Sequence, residues 1–399
     1  MKCLIPLLLF FYCCSGNEKQ VVDVLYSSNP RINRFLLQGN DALKQHNFIQ
    51  ALALADSADK YAVQKADIHF FKGRVYSELG RFAEAEEAYK NALKAAPRYR
   101  GVWNNLGNNA YRQQNFSQAV DYYIQEITQN QAPIPLRALG RAFVELGKID
   151  SARTYFRKAI ELDINYAAAY FNLAQLEEDE GNFKQAIQHA GRAYGIESDN
   201  LEYSYVYSTL LVQMDRGSEA IYNLRKIVDK WPWHHGAHYN LGRAFIQAGQ
   251  KTDGENYLEQ AERVRAAQAK IDHLENTVRA LPDDPYSYAA LAFALRKAGR
   301  YNDAMHSYKV ALYLEPENFD IWNNVANLYL LQRDTIKALD TYNYIVDRNP
   351  TLTDIWLNMG VVYALSNKKE KARNAWKQVL TYQSDNVAAL NYLKKLNDN

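Results

Sequence analysis

Small, apolar and polar positions recur along this chain with a period that is mostly 34 residues. A small residue stands at Gly39, Gly73, Gly107, Gly140, Ala174, Ser208 and Gly242, and again at Ala292, Ala326 and Gly360. Twelve residues after each lies a second small position: Ala51, Ala85, Ala119, Ala152, Ala186, Ala220, Gly254, Ala304, Ala338 and Ala372. Four further on the side chain is usually large, as at Tyr89, Tyr123, Phe156, Leu224, Leu258, Tyr308, Tyr342 and Trp376. Within one unit, Trp322, Val325 and Tyr329 fall at i, i+3 and i+7, one face of an α-helix. Ala326 and Ala338 are small where two helices would cross, and Tyr342 is expected to fill the space against the next unit. Pro97, Pro232, Pro316 and Pro350 close their units, because proline cannot continue a helix. Gly80, Gly147, Gly181, Gly249 and Gly299 mark the intervening turns, where a positive φ is cheap for glycine. The pattern predicts stacked helical hairpins, each burying its apolar face only against its neighbours.

The period is interrupted once. Sixteen extra residues lie between 268 and 285, and no Gly or Pro occurs from Glu255 to Leu281. Leu258, Ala261, Val264, Ile271, Leu274, Val278 and Leu281 recur at helical spacing, predicting one long amphipathic helix. Ala266, Ala267 and Gln268 weaken its apolar stripe, which leaves room for a break. The helix is expected to project beyond the regular stack and change its direction. It reads as a spacer, with partner docking as the alternative.

These spacings resemble the tetratricopeptide repeat family. The resemblance covers residues 32–386, with repeats at 32–65, 66–99, 100–133, 133–166, 167–200, 201–234, 235–268, 285–318, 319–352 and 353–386. It implies an all-α, right-handed α-solenoid of about ten hairpins, with one inserted helix and a C-terminal capping helix. The expected organisation is a seven-repeat array at 32–268, a helical insertion at 269–284, a three-repeat array at 285–386 and a cap at 387–399. Val387, Leu390, Leu393 and Leu396 are the cap's expected apolar face. Trp103, Trp322, Trp356 and Trp376 are expected in the core.

In this family the first helix of each hairpin lines a concave groove that binds peptides. The inward positions would hold Asn105, Asn172, Asn240, Asn324 and Asn358, and three residues later Asn108, Gln175, Arg243 and Asn327, with Val361 last. Asn40, Arg74 and Arg141 occupy equivalent places. An amide offers both a donor and an acceptor, so such a row can grip a peptide backbone with little dependence on its sequence. It resembles the asparagine ladder of the O-linked N-acetylglucosamine transferases. Asparagine as a common polar choice on that face is the competing reading. A carboxylate clamp of the kind that holds chaperone C-termini is disfavoured: Arg137, Arg141 and Asn172 come closest, but Glu202 and Val206 occupy its basic slots. Phe293 and Val361 make the later repeats more apolar there.

Composition changes this picture little. The chain of 399 residues is 48% hydrophobic, ordinary for a folded protein, and its formal net charge of +2 gives no reason to expect a nucleic-acid partner. There are 30 tyrosines against 15 phenylalanines, suited to half-buried sites with an apolar ring and a polar tip. No phosphate loop, H-E-x-x-H or G-x-S-x-G context is present, so no enzymatic activity and no cofactor are expected. The run Glu177 to Glu180 reads as a solvated turn. Trp231 to Tyr239 holds His234, His235 and His238, but Pro232 and Gly236 put a loop through it and no cysteine or carboxylate is adjacent, so no metal site is expected, with metal or small-ligand capture there as a third reading of the chain.

The N-terminus points to export. Lys2 precedes an apolar run, Leu4 to Tyr12, far shorter than the roughly 20 residues a membrane helix needs. All three cysteines, Cys3, Cys13 and Cys14, lie here. The segment resembles a bacterial lipoprotein signal at 1–14 with Cys14 as the lipid-modified residue, departing from that pattern at Phe11 and Cys13; a conventionally cleaved signal is the alternative. Residues 15–31 then read as a tether. The expectation is an exported protein, lipid-anchored to a bacterial membrane and facing periplasm or cell surface. It would be a non-catalytic scaffold binding protein or extended peptide partners, or alternatively a regulatory or substrate-recruiting subunit of a separate enzyme.

Overall fold

The computed structural model describes residues 29–63 and 65–397. The expected signal at 1–14, with Cys14, and most of the 15–31 tether lie outside these residues. Among the described residues all regular structure is helical. Two compact units share it, the first comprising residues 29–43 and 50–266, the second 44–49 and 267–397.

The first unit stacks hairpins α1 (Pro30–Lys44) with α2 (Phe48–Asp59), α3 (Ala66–Glu78) with α4 (Phe82–Ala95), and α5 (Val102–Arg112) with α6 (Phe116–Gln129). It continues through α7 (Pro133–Glu145) with α8 (Ile149–Leu162), α9 (Ala167–Asp179) with α10 (Phe183–Ile196), and α11 (Leu201–Gln213) with α12 (Gly217–Lys230). Its last hairpin pairs α13 (His235–Gln247) with the first part of the long α14 (Lys251–Ala280), whose residues from 267 on belong to the second unit; the helix is unbroken through Ala266–Gln268. In the second unit, α15 (Pro285–Lys297) pairs with α16 (Tyr301–Leu314), α17 (Phe319–Leu331) with α18 (Thr335–Arg348), and α19 (Thr353–Leu365) with α20 (Lys369–Tyr382), before α21 (Val387–Asn397).

Each hairpin turn holds one residue in the left-handed region, with φ between 54° and 79°: His46, Gly80, Gln114, Gly147, Gly181, Asp215, Gly249, Gly299, Arg333 and Asn367. All five expected glycines are among them. The other five turns accept the same conformation in a residue with a Cβ. The closure is a Schellman turn, in which the next residue's N–H reaches back into the first helix, as Arg81 to the Tyr76 carbonyl at 2.9 Å and Asn115 to the Ala110 carbonyl at 2.8 Å.

At Gly73, Gly107, Gly140 and Gly360 the register residue is small because an aromatic ring of the same hairpin lies on it. A Cβ on Gly73 would stand 2.5 Å from the Tyr89 ring, and one on Gly140 2.6 Å from the Phe156 ring. Tyr342 serves two neighbours: its hydroxyl donates to Asn327 Oδ1 of its own hairpin at 2.8 Å, and its ring shares a core with Ile355 and Met359 of the next. Trp376 is buried, whereas Trp103, Trp322 and Trp356 are half-buried.

On α14, Leu258 packs over Gly242 and Tyr257 stacks on Phe245 at 5.5 Å, while Ile271 and Val278 are buried among α15–α17 residues of the second unit. The cap α21 packs with Leu393 and Leu396 as expected, but not with Val387 and Leu390. Ala389, Tyr392, Leu393 and Leu396 pack on Trp376, whereas Val387 and Leu390 are exposed, because the helical period aligns 389, 393 and 396 rather than 387 and 390.

Candidate binding face of the first helices

In the first unit, successive first helices touch directly: α3 with α5, α5 with α7, α7 with α9, α9 with α11 and α11 with α13. Their side chains therefore form one face, and polar bonds at a spacing near one repeat stitch it. Arg112 donates to the Ser77 carbonyl at 2.6 Å, Gln213 to Glu178 at 2.7 Å and Gln247 to the Val212 carbonyl at 2.9 Å. These three donors sit five residues after their register positions, and 35 residues behind them the acceptors sit four after theirs. That regular pairing was the available sequence signal for residues the amide pattern does not include.

Most of the expected ladder is engaged within the protein. Arg74 donates to Asn40 Oδ1 at 3.2 Å, and Asn40 is buried. Asn105 turns back to the Gly101 carbonyl at 2.8 Å. Asn108 accepts the Tyr123 hydroxyl at 2.8 Å. Asn172 and Gln175 bond each other at 3.2 Å, leaving Asn172 Oδ1 buried with no partner and Gln175 exposed. Asn240 is buried and donates to Thr209 Oγ1 at 2.9 Å. Half-buried Arg243 has no hydrogen bond or ion pair among the described residues. In the second unit Asn324 caps back to the Asp320 carbonyl at 3.0 Å, and Asn358 and Asn327 both reach Asn323 Oδ1, at 3.4 and 3.5 Å.

Charge is concentrated around Arg141. Its guanidinium lies 4.8 Å from the centre of the Tyr111 ring, and the Tyr111 hydroxyl donates to Glu145 at 2.7 Å. Burial, reinforced by Glu145 against the pull of Arg141, pushes the Tyr111 hydroxyl up to about 12. Burial also raises the Glu202 carboxyl, against the opposing charges of Arg141 and Arg137. Arg137 in turn donates to the Tyr166 hydroxyl at 2.9 Å.

The acidic run at the end of α9 is solvated at Asp179 and Glu180, which are exposed, but not at Glu177. Glu177 is 3% exposed and accepts from Arg153 at 2.9 Å and Asn182 at 2.8 Å. Burial alone would raise its carboxyl; the Arg153 and Asn182 hydrogen bonds outweigh that and hold it below its ordinary value. The residue falls on the inner side of α9, where the ion pair compensates desolvation.

The histidine segment is structural. His234 Nδ1 accepts the Ala237 N–H at 3.1 Å, capping α13, between the rings of Tyr205 and Trp231. His238 Nε2 donates to the Pro232 carbonyl at 3.0 Å. The indoles of Trp322 and Trp356 make the same bond to the Pro316 and Pro350 carbonyls, at 2.8 and 2.9 Å. His238 thus supplies a ring N–H in a tryptophan slot, and that nitrogen is not free for a metal. Among the described residues no three His, Cys, Asp or Glu side chains are grouped to hold a metal ion, and no helix is long and apolar enough to cross a membrane.

Family models described as tetratricopeptide repeat match residues 36–99, 72–133, 137–200, 235–268, 285–318 and 307–340. The chain is 23% identical over 347 residues to the human Protein O-mannosyl-transferase TMTC3, covering 75% of this chain but only 37% of that protein. It is 20% identical over 310 residues to the TPR repeat-containing protein YpiA of Bacillus subtilis (strain 168), covering 76% of this chain and 68% of that one. A solved structure of pilF from Pseudomonas aeruginosa is similar at 20% identity with a TM-score of 0.45, covering 52% of this chain and 95% of that chain.

Proposed function

The chain belongs to the tetratricopeptide repeat family, and from that premise we propose that it is a non-catalytic scaffold that binds extended protein segments along the face of its first helices. The observation that carries this reading is the continuity of that face in the first unit, where five successive contacts join first helices from α3 to α13. Gln175 and Arg243 keep polar groups available there, while Asn40, Asn108 and Asn240 hold the wall in shape. A wall whose polar groups are already positioned loses little entropy when a ligand docks.

The placement we propose is a bacterial envelope, with Cys14 carrying lipid. Its support is that every cysteine of the chain lies within the first 14 residues, beside an apolar run. Two acyl anchors or more hold a protein on a membrane far more firmly than one.

The deciding experiment is quantitative co-purification from gently solubilised membranes, comparing the unaltered protein with Gln175→Ala and Arg243→Ala combined. Partners lost from a variant that keeps its helical circular dichroism support the reading. A partner set unchanged in stoichiometry overturns it. Metabolic labelling with a clickable fatty acid, absent in Cys14→Ser, tests the anchor separately.

A further inference from the structure

In the second unit the first-helix face changes chemistry. The register position that holds Arg112, Gln213 and Gln247 in the first unit holds Lys297, Leu331 and Leu365 in the second. Leucine cannot make the inter-repeat bonds those polar side chains make, and both leucines face solvent, Leu331 at 51% and Leu365 at 85% exposure. Phe293 is exposed on the same run of helices. Arg296, Lys297, Tyr301, Asn327, Leu330 and Leu331 line one open cleft between the α15 and α17 hairpins.

The carboxylates in the turns at this end of the helices are already paired, Asp303 with Arg300 at 2.7 Å, Asp334 with Lys337 at 2.8 Å and Glu370 with Arg373 at 3.6 Å, which leaves cations in excess. Arg296 and Lys297 form the last turn of α15, which contains no carboxylate. Arg333 and Lys368, in the turns after α17 and α19, are exposed, and neither they nor Lys297 pairs with a carboxylate among the described residues. The only acidic residues of α17 and α19, Asp320 and Asp354, lie in their first turns, at the opposite ends. The partial negative charge at the helix C-termini is smaller than the full charges of Lys297, Arg333 and Lys368. An exposed apolar row flanked by unpaired cations is complementary to a segment with aliphatic side chains and adjacent carboxylates.

We infer that this cleft and the Leu331–Leu365 row form a docking site for an acidic, aliphatic peptide segment of a partner protein. The inference rests on the first-helix reading given above and narrows it to one unit and one ligand chemistry. The leucines would bury the aliphatic side chains, and Lys297 and Arg333 would pair with the carboxylates.

The test is selection of a displayed random-peptide library on the purified full chain, followed by binding measurements on the enriched peptides. Two variants probe the site, Leu331→Ser with Leu365→Ser and Lys297→Glu with Arg333→Glu; all four residues are exposed, so the fold should survive, and circular dichroism checks it. The expected result is enrichment of peptides that combine Asp or Glu with Leu, Ile or Val, weakened roughly tenfold or more by each variant. Enriched peptides of other chemistry that are lost only in the Gln175→Ala, Arg243→Ala protein would overturn this inference and leave the wider reading standing. Absence of enrichment, or binding insensitive to all three variants, would overturn both.

Discussion

The Tyr123 ring occupies the place where a Cβ on Gly107 would stand: Cε1 lies 2.5 Å from that point and Cδ1 2.6 Å. The ring is 2% exposed and cannot retreat without disturbing Ala110, Leu139 and the rest of its core. Gly107→Ala should therefore destabilise the protein by about 1–3 kcal/mol despite alanine's better helix propensity. A urea midpoint that is unchanged or raised would show that the ring shifts freely.

The same rings separate by what their hydroxyls touch. Tyr123 donates to Asn108 and Tyr342 to Asn327, each at 2.8 Å. Tyr308 occupies the equivalent place, but the residue in the asparagine slot is Phe293, and its buried hydroxyl has no partner. Tyr123→Phe and Tyr342→Phe should each cost about 1 kcal/mol, whereas Tyr308→Phe should be neutral or stabilising. Equal losses at all three positions in denaturant melts would refute this ordering.

The contrast marks how far the chain can be read from its sequence. Hairpins, register and turns are legible because small residues at crossings and prolines after second helices recur at a fixed spacing. The partners of the polar side chains are not. Asn105 and Asn108 look alike as inward asparagines, yet one caps its own helix and the other receives a core tyrosine. Which bond forms depends on a rotamer and on the residue packed alongside, and periodicity contains neither.

Glu126 shows the same limit in a helix cap. Gly101, at the N-cap of α5, has no side chain to satisfy the exposed N–H groups. Glu126, 3% exposed on α6, accepts from Gly101 N–H at 3.0 Å and Asn104 N–H at 3.2 Å instead. Glu126→Ala should cost about 1–3 kcal/mol, because two part-buried N–H donors lose their acceptor. Glu126→Gln, which keeps one acceptor oxygen, should lose less; equal losses would mean that side-chain volume is what matters.

The left-handed turn positions offer a comparison between repeats. Gly80 and Gln114 adopt φ of 74° and 61° in equivalent turns. Gly80→Ala should destabilise by about 1 kcal/mol, and Gln114→Gly should stabilise by a few tenths to 1 kcal/mol, the strain relieved being partly offset by the freer unfolded chain. Opposite signs in paired thermal melts are the expected outcome, and a loss in both would show that the Gln114 side chain contributes a contact of its own.

Acid should loosen the second half of the first unit through His234. Burial holds its imidazole down at about 4, below its ordinary 6.5, and its neutral Nδ1 caps α13 by accepting from Ala237. In the unfolded chain the ring takes up a proton near its ordinary value, so between these two pH values the unfolded state binds more protons. The stabilisation is thus complete above about 6.5 and is lost as pH falls toward 4, a change of about 2–3 kcal/mol. Protonation would also replace the lone pair that accepts from Ala237 with a second N–H, opening the cap. His234→Asn retains a capping oxygen without a titrating ring. Its stability at neutral pH should stay near that of the unaltered protein, while the difference between the two should grow in the variant's favour below pH 6.5. Parallel stability curves for the two proteins from pH 7 to 4 would remove His234 as the source of acid sensitivity.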